Sequence, residues 1–87
     1  MIEKETEILN RAGIHARPAT KIVETANKFR ASVYLEKDGN KINAKSIMGI
    51  LTLGASYKSK IRIFTEGEDE QDAADAICSL FANRFEE

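Results

Sequence analysis

A single cysteine, Cys78, excludes an internal disulfide, and a single histidine, His15, leaves no second imidazole to complete a metal site. Neither a metal nor a cofactor is therefore expected. Charge of one sign is also lacking: thirteen basic residues oppose fourteen acidic ones, for a net charge of −1. Without a basic stripe to neutralise phosphates, nucleic acid is excluded as a partner. No apolar run approaches the roughly 20 residues of a membrane span. Met1-Ile2-Glu3-Lys4-Glu5 lacks the charged-then-apolar layout of a signal peptide. A cytosolic location is expected. No Ser-His-Asp hydrolase is expected either, since the chain contains no nucleophile elbow.

What is present is the make-up of one folded domain over residues 1–87, 43% hydrophobic and 31% charged. Residues 2–9 alternate, with Glu3, Glu5 and Glu7 along one side, which predicts a strand with a wet outer face. From Ala16 the period becomes helical, with Ala19, Ile22, Val23, Ala26 and Phe29 on one face. Alternation returns over residues 31–36, and Asp38-Gly39 signals a tight hairpin into a short strand over 41–44. Ser46 opens a brief helix over 47–53, closed by Gly54. Residues 60–66 read as the last strand. Glu68-Asp69-Glu70 supplies favourable charge at the start of a final helix bearing Ala73, Ala74, Ile77, Leu80 and Phe81. The order β-α-β-β-α-β-α predicts an α+β open-faced sandwich with its helices on one face. Periodicity alone leaves strand order open, and a ferredoxin-like arrangement fits it equally.

The chemistry concentrates in Gly13-Ile14-His15-Ala16-Arg17-Pro18-Ala19, where loop becomes helix. A helix start offers unpaired N–H groups and partial positive charge. With His15 as the N-cap, Pro18 has no N–H to leave unpaired, and its fixed φ suits the first turn. The N–H groups of Ala16 and Arg17 then face whatever sits beside the imidazole, and small Ala16 leaves the approach open. Arg17 brings a planar fork suited to phosphate oxygens. Histidine, with an ordinary pKa of about 6.5, offers a neutral nucleophilic nitrogen at cellular pH. A helix-capping histidine beside a solvated arginine is the plain alternative. Four residue types, each where phosphate chemistry needs it, favour phosphoryl transfer.

The same heptapeptide resembles the active-site signature of HPr, the histidine-containing phosphocarrier family of the bacterial phosphoenolpyruvate-dependent phosphotransferase system. Lys45-Ser46-Ile47-Met48-Gly49 is similar to that family's regulatory serine segment, at matching spacing, and the likeness continues through Gly67-Glu68-Asp69-Glu70. The resemblance implies a four-stranded antiparallel sheet of order 1-4-2-3 with three helices on one face. It implies that His15 accepts phosphate on Nδ1 from phosphorylated enzyme I and passes it to an enzyme IIA domain. Arg17 would steady the phosphate, and Pro18 and Ala16 would shape the loop. It further implies a carrier without turnover of its own, acting as a monomer. A regulatory phosphorelay module of the nitrogen or serine-controlled type, without sugar transport, is the alternative.

Ser46 reads as a helix N-cap from residue type alone. The resemblance adds phosphorylation there by an HPr kinase/phosphorylase and, through it, contact with a transcriptional regulator. Ile50 and Leu53 can face the core, which leaves Ile47, Met48 and Leu51 on an exposed side. By resemblance these three, with Thr20 and Arg17, form the partner-docking patch. Two positions depart from the family pattern. Ala12 replaces a small polar residue, and Lys58 stands where glycine is common, implying strain if φ is positive there. Cys78 reads as a small buried hydrophobe.

Overall fold

The computed structural model describes residues 1–86. Its elements run β1 (Ile2–Glu7), α1 (Ala16–Ala26), β2 (Ser32–Lys37), β3 (Asn40–Asn43), α2 (Ile47–Thr52), β4 (Lys60–Glu66) and α3 (Glu70–Ala82). The four strands form one antiparallel sheet of order β1-β4-β2-β3. Strand β4 lies between β1 and β2, with Ile63 opposite both Lys4 and Leu35.

Alternation decides which face each side chain takes. Ile61 and Ile63 of β4, with Val33 and Leu35 of β2, are buried beneath the helices, which contribute Ala19, Ile22, Ile50, Ile77 and Phe81. The other face carries cross-strand charge. Arg62 lies 3.8 Å from Glu3 and 3.9 Å from Glu36, and the Lys41 ammonium sits 4.2 Å from the centre of the Phe64 ring. These exposed pairs each contribute at most about 1 kcal/mol and mainly keep that face wetted. Lys4, on the inner parity of β1, is half-buried and pairs with Asp75 at 3.5 Å.

The hairpin after β2 follows from Asp38-Gly39, both with positive φ (50° and 85°), as a tight turn between twisted strands requires. Helix α1 is shorter than its apolar spacing predicts. Both the backbone N–H and the side-chain amide of Asn27 donate to the Val23 carbonyl at 2.9 Å, and Phe29 lies beyond the helix, half-buried. A last turn, Arg84–Glu86, was not foreseen from the sequence. Its three residues have φ of 53°, 56° and 64°, a left-handed path that swings Phe85 into the core. Edge-on packing against Phe81 at 4.9 Å and the Lys21 ammonium donating to the Phe85 carbonyl at 2.8 Å hold it there. Cys78 is half-buried rather than fully buried; desolvation raises its thiol pKa, so it stays protonated.

Asp69 joins two halves of the fold. Its carboxylate accepts from the Arg30 and Ala31 N–H groups at 3.0 and 2.8 Å, tying the start of α3 to the start of β2. Those bonds, led by that from Arg30, hold its carboxyl below the ordinary 3.8. Glu70 is lowered from 4.5 by the Gly67 N–H and then by the N-terminal ammonium at 3.0 Å. Because both folded values are depressed, their stabilisation is present above the unfolded values and is lost as pH falls through the folded ones. Asp69→Asn should therefore flatten the acid limb of stability against pH below about 4, while wild type keeps a steep one. Thermal melts of both proteins across that window provide the check.

Candidate functional site

The segment between β1 and α1 is held on both sides. Gly13 donates to the Asn10 carbonyl at 3.0 Å, and the Asn10 side-chain amide donates back to the Gly13 carbonyl at 2.7 Å. Ile14 then donates to the Ala55 carbonyl at 2.9 Å, fastening the loop to the chain that follows α2. Gly13 has φ of +73°, and a Cβ there would lie 2.8 Å from the Ala55 oxygen. Glycine is thus required twice, for its backbone angle and for its missing side chain. Periodicity and motif do not single out Asn10 in the sequence. Its aptitude for closing turns through its side chain was the available signal.

His15 is the N-cap of α1, extended at φ −131° and ψ −166°, and is exposed. Its side chain makes no capping hydrogen bond to the helix. The first bond of the helical ladder runs from the Ala19 N–H to the His15 carbonyl at 3.0 Å. Pro18, buried at the helix base, has no N–H to contribute. The N–H groups of Ala16 and Arg17 are left outside the ladder, immediately after His15 and at the positive end of an eleven-residue helix. Ala16 and Arg17 are both exposed. An anion attached to the ring would meet two backbone donors without competition from an acidic side chain, since the first turn contains none.

Ser46 caps α2 in the ordinary way, its exposed hydroxyl accepting from the Gly49 N–H at 3.2 Å. Ile50 and Leu53 turn inward, whereas Ile47, Met48 and Leu51 stay 40%, 70% and 39% exposed. Helix α1 packs against α2, and Thr20 is exposed on α1 with its hydroxyl donating to the Ala16 carbonyl at 2.8 Å. The two sequence motifs therefore lie on neighbouring helices, with an uncovered apolar patch on the second.

The two departures take definite forms. Ala12 is exposed beside the loop. Lys58 has φ of +70° and its N–H donates to the Ile8 carbonyl at 2.8 Å, so the strained conformation is fixed by pairing with the residue that follows β1. Lys58→Gly should relieve about 1 kcal/mol, the left-handed strain less the extra freedom glycine gives the unfolded chain. A higher midpoint in urea at unchanged slope is the expected reading.

The comparisons with known proteins agree with this geometry. The family model for PTS-HPr, "PTS HPr component phosphorylation site", matches residues 2–83. The chain is 46% identical over 87 residues to the phosphocarrier protein HPr of Treponema pallidum, covering 100% of this chain and 99% of that one. It is 47% identical over 80 residues to the HPr-like protein Crh of Halalkalibacterium halodurans, covering 92% and 95%. Among solved structures, HPr of Thermoanaerobacter tengcongensis superposes with a TM-score of 0.96 at 46% identity, covering 100% and 98%, and a second structure from that organism is of an HPr dimer. A histidine at the start of α1 on an open-faced sandwich of this strand order, matched in sequence along nearly its whole length, places this chain in the HPr family of phosphocarrier proteins.

Proposed function

We infer that the chain carries a phosphoryl group on His15, taking it from phosphorylated enzyme I and delivering it to enzyme IIA domains. The single observation behind this reading is the exposed imidazole at the start of α1, next to the Ala16 and Arg17 N–H groups. The ring nitrogen, Nδ1 by family likeness, attacks the phosphorus of the donor as the donor's own bond to phosphorus breaks. The developing charge on the phosphoryl oxygens is met by the two N–H groups and by the Arg17 guanidinium, whose paired donors match that geometry. Pro18 anchors the turn from below, and Ala16 leaves the approach unobstructed. In the second step the bond from His15 to phosphorus breaks and the acceptor takes the group. The uncovered Ile47, Met48 and Leu51 patch, with Thr20, gives both partners a common docking surface, and flexible Met48 suits more than one of them. The carrier works as a monomer in the cytoplasm.

Incubation with enzyme I and phosphoenolpyruvate should attach one phosphate that is labile in acid and stable in base. An acid-stable ester, or no incorporation, contradicts the reading.

Exposure of Ser46 at the start of α2 favours an added regulatory role. A phosphoserine brings about −1.5 to −2 charges, which a helix start tolerates, so its effect falls on docking rather than folding. An HPr kinase/phosphorylase would supply that group, and a transcriptional regulator is the partner it would recruit. Pull-downs before and after Ser46 phosphorylation should show partner exchange; identical partner sets would refute regulation through this serine.

A further inference from the structure

Beside the loop, residues from three separate stretches of chain enclose a concavity of about 350 Å³, lined by Leu9, Asn10, Arg11, Ala12, Tyr57 and Arg84. Its charge is one-sided. The Arg11 guanidinium lies 5.8 Å from the centre of the Tyr57 ring, and the Lys58 ammonium lies 5.5 Å from it, so two cations share one aromatic ring. Arg84 supplies a third cation from the C-terminal turn. No carboxylate is among the described residues that line it. Glu86, the acid nearest Arg84 in the described sequence, leans instead towards Lys21 at 3.8 Å. Two of the three cations are presented by left-handed backbone, Lys58 at φ +70° and Arg84 at +53°. Arg11 and Arg84 line the same concavity, with Lys58 at its Tyr57 edge, and like charges gathered at one site favour the entry of an anion.

We propose that this concavity binds a small multivalent oxyanion, a polyphosphate or a polycarboxylate, held by Arg11 and Arg84. A volume near 350 Å³ suits a small molecule, and guanidinium forks on two sides favour a ligand with more than one charged group. The position is separate from the one a phosphoryl group would take on His15, which is served by the Ala16 and Arg17 N–H groups. Occupancy next to Ala12 would tie phosphoryl traffic through the loop to the concentration of an anionic metabolite.

The test is an NMR titration of the whole chain with pyrophosphate and, separately, with citrate, each against potassium chloride at matched ionic strength. Saturable amide shifts at residues 9–12, 57 and 84 are expected, and Arg11→Ala and Arg84→Gly should each weaken binding about tenfold. A stronger response to pyrophosphate assigns the site to phosphates, and a stronger response to citrate to polycarboxylates. Phosphate incorporation at His15 from enzyme I should be unchanged in both variants without added anion, so this proposal can fail while the carrier reading stands. Shifts that track ionic strength alone, that centre on Ala16 and Arg17, or that persist unaltered in both variants would overturn it.

Discussion

His15→Ala is expected to abolish phosphate incorporation from enzyme I and phosphoenolpyruvate while changing stability by no more than about 0.5 kcal/mol. The two halves of that expectation have different origins. Loss of incorporation follows because the variant lacks the ring nitrogen that would form the bond to phosphorus, and the chain has no second histidine to substitute for it. Preserved stability follows from the exposed position of the side chain and from its not capping the helix by a hydrogen bond, so alanine leaves the core and the helix start in place. The bond that starts the ladder, Ala19 N–H to the residue 15 carbonyl, is backbone and survives the substitution. Denaturant melts and labelling on the same preparation separate the two effects. A variant that melts like wild type yet still labels would place the phosphate elsewhere.

Gly13→Ala should act through the fold as well as the chemistry. Alanine at φ +73° carries left-handed strain, and its Cβ would fall 2.8 Å from the Ala55 oxygen, which is backbone and cannot swing aside. The same Ala55 oxygen accepts from Ile14, so moving it loosens the bond that fastens the loop next to His15. Destabilisation on the order of 3 kcal/mol is expected, lowering Tm by roughly 15 °C in a domain of this size. Displacement of the imidazole should also slow phosphoryl acceptance by at least about tenfold. Calorimetry and single-turnover labelling at a temperature where the variant remains folded would measure the two losses. A variant as stable and as fast as wild type would mean that the loop is not rigidly fastened.

Local features were legible where one residue type decides the conformation. The β4 bounds follow directly from alternation, Asp38-Gly39 forms its turn, and Ser46 caps α2 through its own hydroxyl. His15 was placed at the helix start by the proline three residues on. Features set by distant partners were less legible. Asp69 reads as helix-start charge, yet its carboxylate is occupied with Arg30 and Ala31, contacts that exist only once β2 lies beside α3. Phe85 carries no signal of its role in sequence, because nothing local announces a left-handed turn without glycine; burial against Phe81 and the bond from Lys21 hold it. Phe29 keeps the helical spacing but lies outside α1, since Asn27 closes the helix onto Val23. Strand order came from family likeness, because period-two patterning says which face a residue takes and nothing about which strand lies beside it.

The central question is where the phosphoryl group sits and what holds it. After phosphorylation by enzyme I and phosphoenolpyruvate, phosphorus-31 and amide NMR on the intact chain address both points together. The expected result is a phosphorus signal coupled to the His15 ring, with the largest amide shifts at Ala16 and Arg17. A signal coupled to a hydroxyl-bearing residue, or unmoved Ala16 and Arg17 amides, would contradict it.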